Sequence, residues 1–150
     1  MADVYGVNYK KAYIDNPAQM IPAGEQAGRV RVAYDEITFE ADVLAISDVV
    51  KLFKIPMGAR VLGFRAVGAS LGTTGILDFG YAANGVDVAD PNAFISGLDL
   101  GGARASKVDT TEAGIGKKFE AETEIQAVFT EASDAALGDT LQAWCYYVLD

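Results

Sequence analysis

The sequence predicts an all-β protein, an antiparallel β-sandwich of jelly-roll type that is preceded by an extended N-terminal arm. Several stretches alternate apolar and polar residues, which is the pattern of half-buried strands. Glycine-rich turns separate these stretches, and no alternation of strands with helices indicates a parallel sheet. We place the arm at residues 1–28 and a single sandwich domain at residues 29–150.

Size and composition support one domain that associates with others. A chain of 150 residues, 51% of them hydrophobic, is long enough for one compact core and too short for two ordinary domains. Its mean hydropathy of +0.16 is high for a small soluble monomer. Burial of apolar surface between subunits would explain this value, so we expect a homo-oligomer.

The clearest strand is Lys118–Thr130, where apolar and small residues alternate with glutamates, lysine and glutamine. A second alternation places Val30, Val32 and Tyr34 on one face. The apolar positions then change parity after Asp35 and Glu36, so we predict a turn or bulge at that pair.

The middle of the chain predicts further strands. Val49–Ile55 and Arg60–Gly68, joined by a turn at residues 56–59, have the pattern of a hairpin. Leu77–Tyr81 is another strand. Asp90 followed by Pro91 favours one helical turn over Pro91–Ile95. Residues 97–116 are glycine-rich and are predicted to be irregular.

The last strand, Thr140–Leu149, carries apolar residues on both faces, with Trp144 and Tyr146 on one of them. This favours a central position in its sheet over an exposed edge. Exchange of the strand between subunits stays open. The predicted core contains Val32, Phe64, Leu77, Phe79, Phe119, Ile125, Phe129 and Cys145.

The net charge of −9 belongs to the second half of the chain. Residues 1–77 carry eight acidic and eight basic side chains, whereas residues 78–150 carry thirteen acidic and four basic ones. Binding to nucleic acid is disfavoured because it depends on clustered lysine and arginine. Two interpretations of this split stay open. The acidic half faces solvent while the neutral N-terminal half contacts a partner, or the acidic charge serves solubility alone.

Neither a signal peptide nor an apolar stretch of membrane-spanning length is present in the sequence, so we expect a protein made in the cytoplasm that does not enter a membrane. The single Cys145 has no partner for an internal disulfide. It lies in an apolar setting without a nearby histidine, which favours a core residue over a reactive thiol.

The sequence lacks most of the residue combinations that active sites and metal sites require. The chain has no histidine, which excludes histidine-dependent nucleophilic triads and histidine-ligated metal sites. Glu120, Glu122 and Glu124 on one strand face could in principle act as a carboxylate pair, but a solvated strip is the more common role of this spacing. We expect no enzyme activity and no cofactor.

Two loops resemble binding motifs weakly. Asp87, Asp90 and Asp99 could bind calcium, but they lack the spacing of an EF-hand loop. Gly68–Gly75 resembles a phosphate-binding loop, yet it has neither the lysine nor the following helix, so a hairpin turn is the better interpretation.

The arm is the predicted contact segment. Tyr5, Tyr9 and Tyr13 recur every four residues, but glycine and asparagine weaken a helix and Asn16-Pro17 would end it. An arm this apolar should lie on its own domain or on a neighbouring subunit. Its candidate partner-binding residues are Val4, Tyr5, Val7, Tyr9, Tyr13, Ile14, Met20 and Ile21.

Several segments resemble, in order, small virion proteins of tailed phages. They are VYGVNYKK, GRVRVAYDEITFEAD, VVKLFKIPMGARVLGFRAVGASLGTTGILDFGYA, DPNAFISG and GDTLQAWCYYVLD. Two family patterns are a lysine-leucine strand followed by Pro-x-Gly-Ala, here Lys51–Leu62, and a final strand that ends as a hydrophobic tail. These motifs are structural, and they span nearly the whole chain.

The resemblance implies a non-enzymatic capsid decoration (cement) protein. Its implied partner is the major capsid protein, its implied location is the capsid surface of the virion, and analogy favours a homotrimer. Two alternatives stay open at this point. One is a carbohydrate- or receptor-binding module of a phage fibre that uses exposed tyrosine and tryptophan, and the other is a head-tail connector or tail structural protein.

Overall fold

A computed structural model of the chain, which describes residues 10–20, 28–108, 111 and 113–149, contains two stacked antiparallel sheets of four strands. The strands are β1 (Arg31–Thr38), β2 (Val49–Ile55), β3 (Ala59–Gly68), β4 (Ile76–Tyr81), β5 (Asp90–Asp99), β6 (Ala105–Val108), β7 (Thr123–Glu131) and β8 (Thr140–Leu149). Sheet A has the order β1-β8-β3-β6 and sheet B the order β2-β7-β4-β5. The predicted all-β antiparallel sandwich is confirmed.

The chain crosses between the sheets at most connections, and among the described strands only β4 and β5 are successive neighbours in one sheet. The predicted hairpin of Val49–Ile55 with Arg60–Gly68 is therefore wrong. Both segments are strands, but β2 pairs with β7 and β3 pairs with β8. The turn between them crosses from sheet B to sheet A. Ile55 and Ala59, on either side of it, are both fully buried in the core.

Aromatic side chains fill the space between the sheets. Phe64 of sheet A stacks on Phe94 of sheet B, with ring centroids 5.0 Å apart and an interplanar angle of 11°. Phe64 also contacts Phe79, at 5.6 Å. These three rings are almost completely buried, so they join the two sheets at the centre of the core.

Seven of the eight predicted core residues are buried, and Val32 is not. Strand β1 runs from Arg31 to Thr38 and pairs with β8 without a register shift, so the bulge predicted at Asp35 and Glu36 is wrong. Ala33 and Ile37 pack against the core, whereas Val32 is 53% exposed. The apolar residues of β1 therefore occupy both faces of a regular strand.

The helical turn predicted over Pro91–Ile95 is wrong, because this segment belongs to β5. Phe94 and Ile95 are fully buried, and this burial outweighs the local preference of Asp90-Pro91 for a helix start. A Cβ on Gly80 would clash with the backbone of β5, so glycine allows the two strands to approach closely. The predicted irregular region 97–116 contains the end of β5 and the short strand β6.

Strand β8 is central in sheet A, between β1 and β3, as predicted. Leu141 and Cys145 point into the core, and Trp144 lies on the opposite face. Beyond Tyr146 the alternation changes, since Val148 rather than Leu149 is buried. The change lies next to a bulge in β3, where the register shifts between Val61 and Gly63.

We expect the substitution Ile125→Ala to destabilise the domain by about 2–5 kcal/mol, because the side chain is fully buried between the sheets. The matched substitution Val32→Ala removes an exposed side chain and should cost no more than about 0.5 kcal/mol. Chemical denaturation of both variants measures the difference. Equal losses of stability would contradict the assignment of Val32 to the outer face.

Candidate interaction surface

The outer face of sheet A carries apolar and aromatic side chains. Strand register aligns one row across all four strands, consisting of Tyr34, Trp144, Arg65 and Val108. The rows on either side contain Val32 with Tyr146 and Glu36 with Gln142. We call seven of these eight residues the aromatic face: Val32, Tyr34, Glu36, Arg65, Gln142, Trp144 and Tyr146.

The centre of the aromatic face is Trp144. The ring of Tyr34 lies beside it, with centroids 5.0 Å apart and a tilt of 39°. From the other side, the Arg65 guanidinium carbon approaches the indole ring to 5.9 Å from its centroid, a cation–π contact. Tryptophan, tyrosine and arginine are the residues most enriched where proteins bind each other, so the composition is that of a protein-binding surface.

Glu36 is the acidic group of this face. Its carboxylate accepts hydrogen bonds from the Tyr34 hydroxyl, at 3.3 Å, and from the side-chain amide of Gln142. Burial and the neighbouring Glu36 charge raise the pKa of the Tyr34 hydroxyl above its ordinary value. Within the described part of the chain, neither Glu36 nor Arg65 forms an ion pair.

The outer face of sheet B is different in kind. Lys51 of β2 pairs with Glu124 of β7 at 3.2 Å, and Lys54 pairs with Glu122 at 3.4 Å. Such exposed cross-strand ion pairs are typical of a solvated surface. Two members of the glutamate strip considered as a carboxylate pair are thus engaged with lysines, and Glu120 lies exposed before β7.

The segment Gly68–Gly75 forms a turn that binds a carboxylate of its own chain. Asp134 accepts hydrogen bonds from the backbone N–H of Thr73, at 2.6 Å, and from the Thr73 hydroxyl. Gly72 has a positive φ of 100°, and a Cβ there would clash with Asp134. The hydroxyl bond from Thr73 is the main cause of the lowered pKa of Asp134. The hairpin turn predicted for Gly68–Gly75 is wrong, because this segment connects β3 of sheet A with β4 of sheet B.

Two of the three candidate calcium-binding aspartates, Asp87 and Asp99, form contacts with other groups of the chain. Asp87 forms an ion pair with Lys117 at 2.7 Å, which lowers the pKa of the Asp87 carboxyl through the hydrogen bond that Lys117 donates. Lys117 also lies over the ring of Tyr81, 5.6 Å from its centroid. Asp99 accepts the backbone N–H of Gly101 at 2.9 Å. No group of three metal-ligating side chains is found among the described residues.

The predicted arm is described only over residues 10–20. Lys10–Ile14 forms a single π-helical turn, which departs from the extended conformation expected there. The side chains of Tyr13, Ile14 and Met20 are exposed, Met20 to 93%. The remaining candidate contact residues, Val4, Tyr5, Val7, Tyr9 and Ile21, lie outside the described residues.

Sequence reasoning missed the aromatic face because Val32 was assigned to the core. Apolar alternation shows that a strand has two different faces, but it does not show which face is inside. The sequence feature that indicates this surface is in β8, where Trp144 and Tyr146 lie on the strand face opposite the core residues. Pairing of β1 with β8 placed the Val32–Tyr34 side of β1 on that same surface.

We expect the substitution Asp134→Asn to lower stability at neutral pH, because an amide cannot replace a carboxylate that accepts several hydrogen bonds from Thr73 and Thr74. A depressed pKa stabilises the fold above the unfolded-state pKa, and this contribution is lost as the pH falls through the folded-state pKa. Thermal unfolding of both proteins should therefore differ at pH 7 and converge in acid. A difference that persists unchanged in acid would contradict this role of the charge.

Comparisons with known proteins place the fold among phage capsid structures. No protein-family model and no curated protein sequence matches the chain. A chain in the capsid of Ralstonia phage GP4 superposes with a TM-score of 0.70 and 21% identity, over 88% of this chain and 92% of that one. A chain of the cyanophage Pam1 capsid asymmetric unit gives 0.65 and 18%, over 93% and 99%. In the described part of the chain, no helix has the length and apolar character needed to cross a membrane.

The two superpositions show that the protein shares its fold with chains of two phage capsids.

Proposed function

We propose that the protein is a non-enzymatic virion structural protein of a tailed phage, which binds and stabilises the capsid shell as a decoration (cement) protein. The observation that carries this proposal is the similarity of fold to chains of two phage capsids. The superpositions cover nearly all of both partners, so the matched capsid chains have about the length of this one. The similarity of fold therefore extends over nearly the whole of both capsid chains.

The surface chemistry supports adhesion. The sandwich has a solvated sheet face with ion pairs and an aromatic face without them, and many further apolar side chains are exposed at its loops. A surface of this kind is poorly suited to an isolated monomer and well suited to an assembly. The proposed location is the capsid surface of the virion, after synthesis in the host cytoplasm.

The proposed partner is the major capsid protein, contacted by the arm at residues 1–28. Tyr13, Ile14 and Met20 support this assignment because their side chains are exposed on the subunit. Tyrosine supplies a large contact area with few rotatable bonds. The proposed contact set is Val4, Tyr5, Val7, Tyr9, Tyr13, Ile14, Met20 and Ile21.

The alternative of a carbohydrate-binding module has less support. Such a module needs an open aromatic platform on which a sugar ring can stack. Trp144 is half-buried, because Tyr34 and Arg65 flank its ring. No contact among the described residues favours a connector or tail component over a shell component.

We expect a variant without residues 1–26 to remain folded and to lose binding to capsid shells that were assembled without this protein. The truncation leaves every strand of both sheets intact. In the full chain, Tyr13→Ala should weaken shell binding by about 1–3 kcal/mol, the range of an interface anchor. Co-sedimentation with shells measures both effects.

Val88→Ala is the matched control, since Val88 is also exposed but lies in the loop between β4 and β5. It should bind shells as the unmodified protein does. Undiminished binding of the folded truncation variant would show that the arm is not the contact segment.

A further inference from the structure

The aromatic face has the properties of a contact between two copies of this chain. Its exposed apolar side chains lie on neighbouring strands of one sheet, so backbone pairing fixes their relative positions. Arg65 and Glu36 flank the central Trp144 on opposite neighbouring strands, β3 and β1. A single surface thus carries a cation, an anion and an aromatic centre between them.

This arrangement of charges is self-complementary. In a two-fold contact, each residue that meets a second residue across the interface is met by its equivalent in return. A two-fold axis lying between two facing sheets and passing near Trp144 would bring Glu36 of each copy to Arg65 of the other. Both groups lack an ion pair within the described residues of one subunit. One symmetric contact would therefore form two Glu36–Arg65 ion pairs, one on each side of the axis.

The same contact would cover the aromatic centre. Tyr34 and Trp144 would pack against the equivalent pair of the second copy, with the two sheets separated by the usual distance of about 10 Å. Val32 and Tyr146, exposed to 53% and 36%, lie in the adjacent row and would be covered at the margin.

Strand addition at the edge of sheet A is a less favourable way to associate. Asp35 lies on the inward-facing side of edge strand β1, between Ala33 and Ile37, which both pack against the core. An inward-pointing charge on an edge strand disfavours pairing with a further strand. The face of sheet A is therefore a more favourable surface for a second copy than its β1 edge.

The available area matches a reversible dimer. Eight residues of β1 span about 26 Å, and four strands span about 19 Å, so each copy offers on the order of 500 Å². Both copies together bury on the order of 1,000 Å², which is the lower limit for a specific interface. We propose that the aromatic face is a two-fold self-association surface of the free protein, in place of the three-fold arrangement that analogy favours.

Charge reversal tests the proposal. We expect the unmodified protein to form dimers in sedimentation equilibrium and to dissociate on dilution. Glu36→Arg would place arginines opposite each other, and Arg65→Glu would place glutamates opposite each other. Each variant alone should raise the dissociation constant of the dimer at least about tenfold.

A mixture of the two variants provides the decisive test. In a heterodimer of Glu36→Arg with Arg65→Glu, opposite charges face each other across the interface, as they do in the unmodified dimer. The mixture should recover dimers that neither variant forms alone. Lys54→Glu, a charge reversal on the outer face of sheet B, is the control and should leave the dimer intact.

Trp144 is the only tryptophan of the chain, so its fluorescence reports directly on this face. Emission should shift to shorter wavelength as the protein is concentrated, and the shift should disappear in either single variant.

An unmodified protein that stays monomeric at all concentrations, or that forms trimers, would overturn the proposal. Dimers that both charge reversals leave intact, or a mixture of variants that stays monomeric, would also overturn it. These measurements use free protein, so their outcome is independent of shell binding. Variants that remain unaffected in solution but lose shell binding would assign the aromatic face to the capsid and reject the dimer.

Discussion

The structure depends on burying two apolar sheet faces against each other. Phe64 of sheet A reaches across the core to stack on Phe94 of sheet B, and Phe79 packs beside them. The chain crosses from one sheet to the other at most connections, so strands that follow each other in the sequence contribute to opposite sides of this core. The turn at Pro56–Ala59 shows the consequence, since its two flanking strands lie in different sheets with Ile55 and Ala59 both buried.

A core of this kind uses only the inner face of each sheet, and the outer faces are then free to differ. In sheet B the outer face is covered by lysine–glutamate pairs such as Lys51–Glu124. In sheet A it carries Tyr34, Trp144 and Tyr146. The ion pairs identify the first face as a solvated surface, and we propose that the second contacts other protein. The high mean hydropathy of the chain is consistent with this division.

Much of the fold could be predicted from the sequence because alternation is a local property. It identified β8, most of β7 and most of the core, including Ile125 and Cys145, although the strand predicted from Lys118 begins only at Thr123. It failed where nonlocal packing determines the strand partner or the local conformation. The examples are the predicted hairpin of β2 with β3 and the predicted helical turn in β5. Val32 was misplaced because period-two alternation is the same for both faces of a strand. The aromatic face could therefore not be assigned before the pairing of β1 with β8 was known.

If this protein is a component of a capsid shell, as we propose, it should be abundant in the virion. Quantitative mass spectrometry of purified particles of the phage that encodes it measures its copy number. We expect copies comparable in number with the subunit that builds the shell. Copies that suffice only for a single ring at the head-tail junction, or a complete absence from the particle, would contradict the proposal.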